Sequence, residues 1–110
     1  MKNQKLKTLL VSTDNMKPFI KKGDMIYYED IKPRLVSSVY LIKENNITYP
    51  CRVQTLVNGD IRLILDADKE NSRRIKKEDM HNIIFIGHVV DRVTSTNQGY
   101  EIKRGYRLYS

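Results

Sequence analysis

The sequence predicts a mainly β domain of twisted antiparallel sheets and short hairpins, and three observations carry that prediction. Apolar residues recur with a period of two, most clearly over residues 47–57. There Ile47, Tyr49, Cys51 and Val53 point one way, and Thr48, Pro50, Arg52 and Gln54 the other. Tight-turn residues punctuate the chain at Gly23-Asp24, Asn45-Asn46 and Asn58-Gly59-Asp60. The segments between them are rich in β-branched and aromatic side chains, which fit a pleated, half-buried surface.

Taken in order, residues 1–8 read as a basic lead-in and residues 9–110 as the domain. A short apolar strand over 8–12 ends at Thr13-Asp14-Asn15, a cluster that favours a turn or a local side-chain cap. Pro18 fixes its own φ and pushes Lys17 towards extended backbone, so no long helix crosses this corner. Residues 21–24 turn into a strand over 25–29, and a loop broken by Pro33 follows. Strand 36–44 runs through the Asn45-Asn46 hairpin into strand 47–57. Pro50 lacks a ladder donor, which places that strand at an edge or over a bulge. Strand 61–65 comes next, then a polar surface loop over 66–79 with one short strand near 74–76. Residues 83–93 form a nearly unbroken apolar run, expected to be buried on both faces and bent or bulged at Gly87. A turn at 95–99 leads to a final arm over 100–109.

The 110 residues suit one domain, and 40% apolar with 30% charged residues is ordinary for a globular chain. No apolar run reaches membrane-spanning length and the start lacks the apolar core of a secretory signal, so the expected compartment is the cytoplasm. Cys51 is the only cysteine and can form no internal disulfide. Net charge is +7, and residues 1–22 hold six lysines against Asp14 alone. Such an arm either approaches nucleic acid non-specifically or is a solvated linker; the lack of interleaved aromatics favours the linker.

The most informative stretch is Asp14-Asn15-Met16-Lys17-Pro18, followed four residues later by Gly23-Asp24 and an apolar strand. That order resembles the signature of the LexA-like peptidase domain, found at the C-terminus of LexA, in UmuD-type proteins and in many phage repressors. The likeness continues through a hairpin whose second arm holds Cys51-Arg52, and through Gly87-His88-Val89-Val90 late in the chain. It covers roughly residues 9–93 and implies the LexA and signal-peptidase type of β fold. Members of the family cleave a peptide bond, usually in their own linker, with a serine nucleophile and a neutral lysine base. Here Asn15 stands at the serine position and Cys51 at the lysine position, beside the matching Arg52. A carboxamide nitrogen has a delocalised lone pair, and a thiol offers no amine. The resemblance therefore implies a degenerate, non-catalytic peptidase domain.

Other chemistry in the sequence is weaker. Ser12 or Thr13 with Lys17, Lys22 or Lys43 would be a shifted serine–lysine pair, but strand alternation aims a neighbouring side chain at the other face. Cys51 with His81 or His88 would be a thiol nucleophile, although a cysteine on an apolar strand face is usually a small buried hydrophobe. The spacing of these three residues does not suit zinc, and no cofactor is expected. Asp24 is expected to close its turn through backbone hydrogen bonds, and Asn15 to bond the backbone at its corner.

The resulting expectation is an oligomerisation module of a phage-repressor-like transcriptional regulator, a homodimer or larger self-assembly with no membrane partner. DNA would be met only through an upstream domain, since no helix-turn-helix is visible. The contact between copies is expected on the final strands, at Ile84, Ile86, Tyr100, Ile102, Tyr106 and Tyr109, whose edge would otherwise stand unpaired. Two further readings are an active self-cleaving or signal-peptidase-like enzyme, and a stand-alone UmuD-like accessory or nucleic-acid-binding protein.

Overall fold

A computed structural model describes residues 6–31, 35–96 and 99–103 and shows the mainly β architecture. Its strands are β1 (Lys7–Leu10), β2 (Met25–Glu29), β3 (Ser38–Glu44), β4 (Ile47–Thr55), β5 (Ile61–Ile64), β6 (Arg73–Ile75), β7 (Ile84–Thr96) and β8 (Gly99–Lys103). They form one antiparallel sheet in the order β1-β2-β7-β3-β4-β5-β6, and β8 pairs with β7 beyond the end of β3. The expected strands are present with ends moved by a few residues, and residues 104–109 of the expected final arm lie outside the described residues. In the expected polar loop, 3₁₀ segments at Asp66–Asn71 and Lys77–Asn82 flank β6.

The β3–β4 hairpin turns on Asn45 (φ 52°) and Asn46 (φ 65°), the positive pair that the twist of two antiparallel strands demands. Alternation then divides the side chains between two cores. Val39 and Leu41 of β3 join Val11, Met16, Ile20, Ile26 and Val89 on one face. Tyr40 and Ile42 join Cys51, Val53, Ile61, Leu63 and Ile83 on the other. Tyr49 also packs inward, while Ile47 at the hairpin end stays exposed.

Three expectations are corrected. The strand buried on both faces is β3, which lies between β7 and β4; in β7, Ile84 is 54% exposed and several neighbours are half-buried. Strand β4 as a whole is interior and unbulged in its pairing with β3, and Pro50 marks an edge only locally, on the side where β5 does not reach it. Counting outward from the turn puts Pro50 opposite Leu41 at a non-hydrogen-bonded site, so its nitrogen points away from β3. Strand β5 pairs only from Arg52 onward, so no ladder bond is forfeited on that side either. Finally, residues 84–90 are not an unpaired edge: β3 pairs residues 84–88, and β2 pairs His88 and Val89.

The irregularity expected near Gly87 is present. One bulge shifts the β3–β7 register between Leu41 and Ile42, opposite Gly87 and Phe85, and another shifts the β2–β7 register between Tyr27 and Tyr28. The first bulge resets the alternation of β7, so Phe85 and His88 both meet Tyr40. Gly87 is needed because the Tyr28 ring lies over it: a Cβ there would stand 2.3 Å from Tyr28 Cδ2 and 2.8 Å from the Glu29 carbonyl oxygen.

Candidate functional site

The corner between β1 and β2 is closed by main-chain bonds. Val11 N–H donates to the Asp24 carbonyl (2.8 Å) and Gly23 N–H to the Val11 carbonyl (2.9 Å). Asp24 is buried, and its carboxylate accepts Lys21 N–H at 2.9 Å, which is the turn-closing role expected of it. Asp14 accepts Lys22 N–H at 2.9 Å. That backbone bond, helped by the nearby Lys17 and Lys22 charges, holds the Asp14 carboxyl below its ordinary range. With Lys17, Lys21 and Gly23, these groups line an open groove of about 570 Å³.

Inside the corner, Met16 is buried and its sulfur accepts Asp66 N–H at 3.4 Å. Pro18 is exposed, and Phe19 packs on the same core as Met16. Asn15 is half-buried, and the bond that holds it uses its backbone carbonyl, which accepts Ala67 N–H at 3.0 Å. The β4 residue that reaches this region is Arg52. It grips Asp66 through two bonds, Nε to Oδ1 at 3.0 Å and Nη2 to Oδ2 at 2.9 Å, and its guanidinium lies 5.6 Å from the Phe19 ring centroid. Both partners are nearly sealed from water, with side chains 11% and 0% exposed. A charge pair this dry holds because each charge has its partner and its geometry is bidentate.

Cys51 points the other way. It belongs to the opposite core with Tyr40 and Ile42, and its thiol lies 3.6 Å from the Ile64 carbonyl oxygen. Burial pushes the thiol up to about 12, which leaves it protonated and non-nucleophilic at neutral pH. The structure thus does not bring Asn15 and Cys51 together. Ser12 is exposed, and Thr13 Oγ1 is buried with no hydrogen-bond partner among the described residues. Lys17 pairs with Asp14 at 3.6 Å. Among the described residues no group of three or more His, Cys, Asp and Glu is placed to hold a metal ion.

The candidate interface residues fall in different settings. Ile84 is exposed, whereas Ile86 packs against the Met16 core. Tyr100 and Ile102 lie on β8 opposite Ser95 and Val93, and Tyr106 and Tyr109 are outside the described residues. Of the late motif, Val89 is buried beside Met16 and Val90 is half-buried.

One constellation was not anticipated. His88 does not approach Cys51; its Nε2 lies 2.7 Å from Ser38 Oγ and its Nδ1 3.1 Å from Glu29 Oε2. Three adjacent strands supply these groups, with His88 opposite both Glu29 and Tyr40 in the ladders. His81, the other histidine, is exposed.

No protein-family model matches the chain, and no curated protein matches it.

Proposed function

We propose that this chain is a degenerate LexA-like domain that serves as the self-association module of a phage-repressor-like transcriptional regulator. The observation that carries the reading is the chemistry of the Asn15 corner. The family's motif residues Met16, Pro18, Gly23 and Asp24 stand in order around a turn, yet the attacking position is a carboxamide. The cation nearest to it on β4 is an arginine locked to Asp66, not a free amine. With no hydroxyl at the attacking position and no neutral amine beside it, the family's route to an acyl-enzyme is closed. What it retains is rigidity, since Met16, Phe19, Arg52 and Asp66 tie the two strands of the corner to β4.

In this reading the partner is a second copy of the chain, and operator DNA is bound by a separate upstream segment. The outer edge of β8 has no ladder partner among the described residues, and it is the favoured seat for the second copy.

Prolonged incubation at alkaline pH tests the loss of chemistry, because a serine–lysine peptidase gains activity as its lysine loses its proton. The unaltered chain is expected to stay full-length, and so is a variant carrying only Asn15→Ser. Specific self-cleavage of the unaltered chain would restore the enzyme reading.

A further inference from the structure

Glu29, His88 and Ser38 are joined in series, on the face of the sheet opposite the Asn15 corner. A carboxylate only accepts hydrogen bonds, so in the neutral ring the hydrogen sits on Nδ1, directed at Glu29. Nε2 then presents its lone pair to the Ser38 hydroxyl, 2.7 Å away. This is the ordering required for a nucleophile, its base and the group that orients the base. The β7 bulge makes it possible by turning His88 to the same face as Tyr40.

We propose that Ser38, His88 and Glu29 form a hydrolytic site, with Ser38 as nucleophile, His88 as general base and Glu29 as the positioning residue, acting on small uncharged acyl esters. The substrate class follows from the surroundings. Ser38 is only 1% exposed, while the His88 and Glu29 side chains are 16% and 15% exposed. The segment leading into Ser38 is pinned: Tyr40 Oη donates to the Val36 carbonyl at 2.8 Å, and Ser37 Oγ accepts Thr55 N–H at 2.9 Å. Apolar Ile31, Leu35 and Phe85 pack on the same core. So enclosed a serine excludes a polypeptide and restricts any acyl group that reaches it to a short one.

In the reaction, Ser38 Oγ bonds to the ester carbonyl carbon as its proton passes to Nε2. The imidazolium is held by Glu29. Collapse of the tetrahedral adduct breaks the bond to the alcohol, which leaves with the proton from Nε2. Water, deprotonated by the same nitrogen, then releases the carboxylic acid and restores Ser38. The site is separate from the Asn15 corner, and the self-association reading does not depend on it.

The test exposes the native full chain to p-nitrophenyl acetate and to a small fluorophosphonate, with adducts mapped by mass spectrometry. One adduct per chain is expected on Ser38, together with a burst of p-nitrophenol. The burst should vanish in Ser38→Ala and slow about 100-fold or more in His88→Gln, the scale of a lost general base. Glu29→Gln should slow it by no more than His88→Gln does, and Glu29→Asp should retain more of the burst than Glu29→Gln at equal thermal stability, a difference that a merely structural carboxylate would not give. The proposal is overturned if the native chain stays unmodified, if adducts fall on tyrosines or lysines instead, or if Ser38 reacts equally fast in a folded His88→Gln variant. The native-chain measurement stands even where a variant fails to fold.

Discussion

Arg52 and Asp66 form a salt bridge whose worth lies in mutual dependence. Removing only the acid leaves a guanidinium in a nearly dry place, so Asp66→Ala should cost about 3–5 kcal/mol. Asp66→Ala combined with Arg52→Met should recover much of that loss, which urea unfolding of both variants would reveal. Cys51 makes a second prediction at this scale. Its thiol is pushed from 9.0 up to about 12 by burial, so the unfolded chain gives up this proton first as pH rises. The contribution is whole below about pH 9 and declines towards pH 12, with a slope of at most about 1.4 kcal/mol per pH unit. Stability measured at pH 8 and 10.5 should fall less in Cys51→Val than in the unaltered chain. Tyr49, also raised to about 12 by burial and by its bond to Glu44, adds a smaller alkaline loss that both proteins share. Single residues were unevenly legible. Asp24 could be read because its turn bonds are local, whereas the Glu29–His88–Ser38 relay joins positions 9 to 59 residues apart. Only the strand register and a bulge bring those three together.

At the scale of elements, the hairpins were the readable part and the strand environments were not. Asn45-Asn46 announces its turn because few residues accept positive φ. Pro50 misled about β4 as a whole because a missing donor matters only where a neighbouring strand needs it, and β5 does not extend that far. The apolar run in β7 reads like a doubly buried strand, yet its neighbours leave Ile84 open. Two flanking strands, not composition alone, decide which element becomes central, and here that element is β3. Gly87 tests the packing of β7 on β2 directly. A methyl group there meets the Tyr28 ring and the Glu29 carbonyl, so Gly87→Ala should destabilise by about 1–3 kcal/mol in thermal or urea unfolding. Shortening the ring in Tyr28→Leu should return part of that loss if the ring is the obstacle.

For the whole molecule, one antiparallel sheet carries two cores, with the polar corner over one and the Ser38 relay set in the other. Among the described residues no helix is long and apolar enough to cross a membrane. Of the six lysines in residues 1–22, Lys17, Lys21 and Lys22 line the corner groove together with Asp14 and Asp24. The sheet ends at β1 and β6, and β8 adds a third strand with one side unpaired among the described residues. On the function proposed above, the open side of β8 is where a second copy of the chain would join. Sedimentation velocity of the full chain over a wide concentration range tests this most directly. The expected result is a reversible species of twice the chain mass that grows with concentration; a strict monomer at the highest concentration would contradict it.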